Sequence, residues 1–504
     1  MLNSAKVIAL QVMNSWQASN EVRKAAKDFV VFLNKAVTPF HAVEESANRL
    51  KDAGFQELKE FEHWTIEPSK KYFITKNKST ILAFAVGGKY RPGNGYSMIV
   101  AHTDSPSLRV KPISKLCSDK YLQVGVSTYG GGIWRTWFDR DLSIAGQELT
   151  IFSIIFKHDC TNFYAYHSYK NLQDNAIVQK LVNVDAPILF IPNLAIHFTC
   201  DSRNKFEFNN ETNLRPIIAT LATENLNKNA KECSDDVGVN SSSVINDHHM
   251  VFLNIIANAA GCEPDNILDL DLYLYDHQKA TIGGVHEEFI SGQRLDNLVG
   301  AYTCIAGLLN SVATENALAD EENIRLAACY DNEECGSDSA QGAASSFTEW
   351  VLRRLAAGDS RAAFEEAIGK SFMISADQAH AVHPNYKEKH EECHRPDLHG
   401  GVVVKINANQ RYATTATTHS VLKQIASLAG VPLQKVVVRN DMPCGSTVGP
   451  ILSTRLAIQT VDVGCPQLAM HSIRELTSTS SIHQATMLYS AFYQQIPHVL
   501  ASIS

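Results

Sequence analysis

The feature that most limits how this chain can fold is a change of texture in its middle. Up to about residue 112, and again from about residue 283, helix-period apolar stretches alternate with short apolar runs, the pattern of an α/β domain. Between them, the stretch YLQVGVSTYGGGIWRTWFDRDLSIAGQELTIFSIIF is rich in β-branched and aromatic residues and punctuated by glycine, which predicts antiparallel strands. The chain is therefore read as a mixed-sheet α/β domain in two sequence pieces, 1–112 and 283–504, interrupted by an inserted, mostly β domain at 113–282. With 504 residues it has length enough for both.

Within the flanking pieces, Val22, Ala26, Phe29, Val30 and Leu33 recur at helical spacing. Val43, Ala47 and Leu50 predict a second helix stopped by Gly54. Leu298, Tyr302, Ile305, Leu308 and Leu309 predict a helix directly after Asp296. The runs SMIVAHTD, NIRLAACY, SFMISA and LAIQTVDV read as strands. A last amphipathic helix carries Ile482, Ala485, Tyr489, Phe492, Tyr493 and Ile496. In the middle piece VFLNIIANAAG reads as a helix and DLDLYLY as a strand, while polar residues 223–247 read as a surface loop.

Composition removes several classes of function. A net charge of −8 without a long basic run argues against nucleic acid as partner. No segment reaches the ~18–20 apolar residues of a membrane span. The start, MLNSAKVIALQVMNSWQ, lacks a charged leader followed by a small-residue cleavage site. Eleven cysteines, odd in number and without paired spacing, argue against a disulfide framework. The expectation is a reduced, soluble, cytoplasmic protein in which the sequons at Asn77, Asn210 and Asn240 stay unmodified.

Five segments place Asp, Glu or His at or just beyond a predicted strand end, where sites form in open α/β sheets. They are Ala101-His102-Thr103-Asp104, Arg294-Leu295-Asp296-Asn297, Asp331-Asn332-Glu333-Glu334, Ser375-Ala376-Asp377-Gln378-Ala379-His380 and Met470-His471-Ser472. In an extended chain His102 and Asp104 share a face, so one can ligate a metal while the other supports it. Adjacent glutamates project differently, so one can bind metal and its neighbour handle a proton. Singly, each segment suits a turn, a cap (Ser337 is the expected helix cap after the glutamates) or a solvated acidic pair. Together they supply the oxygen and nitrogen ligands that two divalent ions with one bridging carboxylate require.

The segments AHTDSPSLRVKP, RLDNLVGAY, YDNEECGSDSAQGA, ISADQAHAVHPNY, KINANQRYA, VRNDMPCGSTVGP and PQLAMHSIRE, in this order, resemble those of the aspartyl aminopeptidases, as does GGGIWRTWFDRDLSIAGQ in the middle. The resemblance implies hydrolysis of N-terminal Asp or Glu from peptides with a free N-terminus, using two divalent ions: zinc foremost, manganese or cobalt as alternatives. It implies one ion held by His102, Asp296 and Asp377, and a second held by Glu334 and His471 with Asp296 bridging. Asp104 would orient His102, and Glu333 would be the general base. His380, Lys405 and Tyr412 would line a pocket for the acidic side chain. His197 would reach from the inserted dimerisation or lid domain into a neighbouring subunit's active site, within a homo-oligomer, a dodecamer built from dimers.

Other signals carry less. His390-Glu391-Glu392-Cys393-His394 has the H-E-x-x-H spacing of one-zinc proteases, but its polar flanks and Pro396 predict a loop. Gly130-Gly131-Gly132 lacks the companions of a phosphate loop, His248-His249 reads as solvent-facing, and Cys335 as a buried thiol. Three other functions stay open: an aminopeptidase for neutral N-termini, an assembly or cargo protein without turnover, and a deacylase of N-acyl amino acids.

Overall fold

A computed structural model of the chain describes residues 19–152, 176–198, 206–226, 244–358 and 360–502. The N-terminal apolar stretch, Asn240 and most of the polar stretch at 223–247 lie outside the described residues. The chain divides into two compact units, one of residues 1–105 and 280–504, the other of residues 106–279.

The first unit is built on a nine-stranded mixed sheet. Its order is Gln56–Glu57, Lys71–Lys76, Thr80–Val86, Ile324–Tyr330, Tyr96–His102, Phe372–Ala376, Gln459–Gly464, Val402–Lys405 and Leu433–Val436. The four strands from Ile324–Tyr330 to Gln459–Gly464 run parallel to one another. A parallel strand covered on both faces is apolar throughout rather than alternating. Accordingly Tyr96–His102, Ile324–Tyr330 and Phe372–Ala376 are buried at every position. Ile99 and Ala101 point into one core layer, filled by Phe29, Leu298, Leu488 and Phe492 from the helices Asn20–Lys35, Leu295–Ser311 and Thr479–Ala501. Met98 and Val100 point into the opposite layer, closed by Phe347, Val351 and Leu452. The apolar stripes read at helical spacing are thus the buried faces of these helices. A smaller sheet of Thr281–Gly283, Phe289–Gly292, Glu475–Ser478, Pro466–Leu468 and Ala379–His380 completes the unit.

The second unit holds a six-stranded sheet in the order Ala176–Asn183, Leu142–Phe152, Ile267–Asp276, Ser107–Ser118, Tyr121–Tyr129 and Ile217–Thr220. Every neighbouring pair in it is antiparallel. The helix Met250–Ala260 lies where VFLNIIANAAG was read as helical. Two readings need correction here. Short helices, Leu221–Leu226 and Val244–Asp247, occupy the described ends of the stretch read as a loop. His248 and His249 are 4% and 5% exposed, not solvent-facing. Ser114 Oγ lies 2.8 Å from His248 Nδ1, and the Leu116 and Gln123 carbonyls lie 2.8 and 3.1 Å from His249 Nε2. Those partners permit burial of both rings.

His41 sits in the first turn of the helix Pro39–Asp52, its Nδ1 2.8 Å from the Thr38 hydroxyl. Burial, and then the Arg294 charge, pushes its pKa from 6.5 down to about 4. The unfolded chain takes up this proton near pH 6.5 and the folded chain only near 4, so the contribution is present above 6.5 and is lost as pH falls through 4. The swing is on the order of 3 kcal/mol. His41→Asn is expected to remove it. The gap between wild-type and variant unfolding free energies in urea should therefore change by about that amount between roughly pH 7 and pH 4.

Candidate metal centre

The carboxyl ends of the central parallel strands gather the acidic and imidazole side chains. His102 ends one strand, Asp377 follows another, and Glu333 and Glu334 form a turn after Ile324–Tyr330. Asp296 lies at the start of Leu295–Ser311, in two residues of non-helical backbone before the helix proper. Asn297 Nδ2 donates to the Ala376 carbonyl at 2.7 Å, and Gly300 lets the helix close in, because a Cβ there would collide with that carbonyl. Gly464 likewise permits the backbone of Asp377 to pass against its strand. These close approaches bring segments far apart in sequence to one point.

Ligand-competent atoms of His102, Asp296 and Asp377 lie within 4.8 Å of one another, as do those of Asp296, Glu334 and His471. A third such group is His102, Glu333 and Glu334. His102 Nε2 is 3.5 Å from Asp296 Oδ1 and 3.8 Å from Asp377 Oδ1. His471 Nε2 is 3.5 Å from Asp296 Oδ2 and 3.3 Å from Glu334 Oε2. These separations are long for direct hydrogen bonds. They suit two atoms that each sit ~2.0–2.1 Å from a common tetrahedral ion, whose ligands are about 3.3 Å apart. Asp296 Oδ1 and Glu334 Oε1 are buried without a hydrogen-bond partner. Orphaned carboxylate oxygens in a dry site are explained by a cation.

The electrostatics agree. Burial, then repulsion from Asp377, Asp104 and Asp296 against the attraction of His102, pushes the Glu333 carboxyl up to about 8. Burial and Asp296 raise Glu334 well above its usual range. Burial would raise Asp296 too, but the nearby His102 and His471 imidazoles hold it far below. His102 is pushed the other way: burial opposes its charge, yet Glu333 and its carboxylate neighbours raise its pKa well above 6.5. Crowded carboxylates competing for protons are a centre that lacks positive charge.

Asp104 is fully buried and underpins the centre. Its Oδ1 accepts from Glu333 N at 3.1 Å and its Oδ2 from Glu334 N at 3.0 Å, while Oδ1 lies 3.3 Å from His102 Nδ1. The His102 ring also lies 3.0 Å from the Asp104 carbonyl, which fixes its Nδ1 as donor and leaves Nε2 for a ligand. Beside the centre, the Lys405 ammonium is 3.5 Å from Asp377 Oδ2 and 5.3 Å from the Tyr412 ring centroid, with both side chains buried. His380 lies on the short strand Ala379–His380 that follows Asp377, its pKa lowered by burial and then by the Lys405 charge. His197 belongs to the second unit, on the exposed turn Ile196–Phe198.

Sequence reasoning missed Glu475. It is 2% exposed, and its oxygens accept from Asp296 N at 3.0 Å and His471 N at 2.7 Å. An acid shortly after His471, opening a strand, was the only signal available for it. Two smaller readings also change. Ser337 caps no helix; it has φ +63° and the next helix begins at Phe347. Cys335 is exposed rather than buried, because the turn that turns Glu334 inward turns its neighbour out. The His390–His394 segment is a turn in which His394 pairs with Glu391 of the same loop, and among the described residues it joins no ligand-competent group.

Six ligand-competent side chains gathered at the strand ends of an α/β sheet have the make-up of a metallohydrolase centre. Residues 32–493 match the family described as aminopeptidase I zinc metalloprotease (M18). The chain belongs to this family and is a metal-dependent aminopeptidase. It is 62% identical to an aspartyl aminopeptidase of Caenorhabditis elegans, over 96% of this chain and 98% of that one. It is 45% identical to the aspartyl aminopeptidase of Aspergillus oryzae, over 97% and 99%. Among solved structures, Ape4 in its complex with Nbr1 is similar, with a TM-score of 0.87 at 42% identity over 96% of this chain and 88% of that one.

Chelation should destabilise the protein, because it leaves the buried carboxylates facing one another. Adding back zinc at ~100 times its dissociation constant should restore ~2.7 kcal/mol for one site. The check is a melting-temperature comparison of chelated, dialysed and zinc-reloaded protein.

Proposed function

We propose that this chain removes N-terminal aspartate and glutamate from peptides, using two divalent cations, zinc foremost, with manganese or cobalt as alternatives. His102, Asp296 and Asp377 would hold one cation, and Glu334 and His471 the other, with Asp296 shared. The charge count supports two. Asp104, Asp296, Glu333, Glu334, Asp377 and Glu475 set six carboxylates against the one ammonium of Lys405. Two divalent ions would remove most of that excess. When bound, they supply Lewis acidity, acidifying a water and polarising the scissile carbonyl.

Glu333 stands beside the ligands, its Oε2 3.8 Å from His102 Nε2, anchored through its backbone N–H by Asp104. It takes a proton as the water oxygen bonds to the carbonyl carbon, then gives that proton to the amine nitrogen as the C–N bond breaks. The negative surroundings favour a substrate with a free α-ammonium group, which confines cleavage to the chain end and argues against an acylated substrate. The acidic preference is carried by one observation: Lys405, a lysine only 4% exposed beside the centre. A substrate carboxylate there gains a charge-assisted partner, with Tyr412 and His380 alongside. A neutral side chain would leave the ammonium facing it unpaired. The aspartyl aminopeptidase relatives support the same preference.

A homo-oligomer, in the form of a dodecamer built from dimers, completes the reading. In the second unit Leu194, Ile196 and Phe198 are 65%, 66% and 77% exposed, an apolar stretch around His197 that suits cover by another copy of the chain. We place the protein in the cytoplasm: among the described residues all eight cysteines are free thiols, and no helix is long and apolar enough to cross a membrane.

The test is steady-state hydrolysis of Asp-, Glu- and Leu-amides, with free and acetylated N-termini, with and without a chelator. Free Asp and Glu amides should turn over best, and the chelator should abolish turnover; a Leu preference would overturn the assignment to Lys405. Glu333→Gln should lower kcat by about 10²–10⁴ with little change in KM. Lys405→Leu should lower kcat/KM for the Asp amide ~10- to 100-fold, the equivalent of ~1.5–3 kcal/mol, and barely alter it for the Leu amide.

A further inference from the structure

Behind the centre, on the side away from Lys405, a second buried carboxylate does for Asp296 and His471 what Asp104 does for the two glutamates. We propose that Glu475 is a positioning residue that sets the separation of Asp296 and His471, and that Gln467 and Gln378 extend the same bracket to Asp377. The inference rests on the ligand assignment proposed above.

Glu475 uses its two oxygens on two different chain segments. Oε2 accepts from Asp296 N at 3.0 Å, at the entry to the helix Leu295–Ser311, and Oε1 from His471 N at 2.7 Å, in the turn after Pro466–Leu468. Neither N–H has a helix or strand of its own to bond within, so the carboxylate decides where both point. His471 also has φ +65°, a left-handed conformation that side-chain-bearing residues seldom adopt and that needs an external hold. The bond from its N–H to Glu475 is such a hold.

The bracket is anchored in the small sheet. Glu475 pairs with Gly292, Gln467 with Thr477, and His380 with Gln467 in the ladders. Across them runs a buried amide relay. Gln467 Nε2 donates to Glu475 Oε1 at 3.4 Å, and Gln378 Nε2 donates to Gln467 Oε1 at 2.9 Å. Gln378 adjoins Asp377. Three ligand-bearing segments are thereby tied to one ladder through groups that would never touch a substrate. Groups behind metal ligands characteristically change affinity by ~10- to 100-fold when removed. Of the two N–H donors, His471 belongs to a candidate for one ion alone while Asp296 is shared, so the effect should fall more heavily on the site of Glu334 and His471 than on the other.

Apoprotein made by chelation and dialysis is titrated with zinc against a chromophoric chelator, for wild type, Glu475→Gln and Gln467→Ala. Glutamine keeps the volume but turns an amide donor toward one of the two N–H groups. The expected result is two zinc per wild-type chain, with one class weakened ~10- to 100-fold in Glu475→Gln and the other, which shares Asp296, weakened by a clearly smaller factor. Gln467→Ala should weaken the same class by a smaller factor, and excess zinc should return activity to both variants. Folded variants that bind both zinc ions with wild-type affinity, or that lose both classes equally, would overturn the proposal. Should Glu475→Gln fail to fold, Gln467→Ala decides alone, and unchanged affinities there overturn the relay and the bracket with it. A wild type binding fewer than two zinc ions overturns instead the ligand assignment on which the bracket rests, a result read without any variant.

Discussion

Buried negative charge is the constraint around which this structure is organised. Carboxylates at 0–7% exposure, such as Asp104, Asp296, Asp377 and Glu475, are tolerated in a protein interior only when something offsets them. Asp104 and Glu475 each accept from two backbone N–H groups. Asp296 Oδ1 and Glu334 Oε1 have no such partner, while the other oxygen of each carboxylate faces His471 Nε2. The division is informative. Hydrogen-bonded carboxylates hold the frame, and unsatisfied ones are left for the ions. Energy withheld from protein–protein hydrogen bonds becomes metal affinity.

The parallel sheet makes that concentration of charge feasible. Its four central strands end on one side, so residues that follow them emerge at a common edge without long loops. Apolar layers on both faces keep those strands fixed, from Phe29 and Phe492 on one side to Phe347 and Leu452 on the other. Segments outside the strands, carrying Asp296 and His471, need extra restraint. The close approach at Gly300, the Asn297–Ala376 bond and the Glu475 carboxylate provide it. The placement of Lys405 at the end of a neighbouring strand sets one positive charge beside a negative centre.

What could be read from the sequence followed from period and position. Apolar runs without alternation marked buried parallel strands, and stripes at helical spacing marked helices that cover them. Acids and histidines just past such runs marked the site. The readings that failed share one cause. His248 and His249 are buried because Ser114 and the carbonyls of Leu116 and Gln123, from strands distant in sequence, provide partners. Cys335 is exposed, and Ser337 caps nothing, because a tight turn there is imposed by Asp104 from another strand. Glu475 was passed over for the same reason: its importance lies in the two N–H groups it meets, and neither is near it by any local pattern.

By itself, then, the sequence determined the α/β layering, the β-rich character of the middle, and the inventory of acidic and imidazole side chains at the strand ends. Those properties depend on residue type and local period, which a linear chain carries in full. Only the tertiary structure decided which acids share an ion-sized space, which are satisfied by backbone and which are not. Hydrogen-bond satisfaction and burial are set by partners 100 or more residues away, such as Asp104 with Glu333 or Asp296 with Glu475, and no periodicity encodes such pairings.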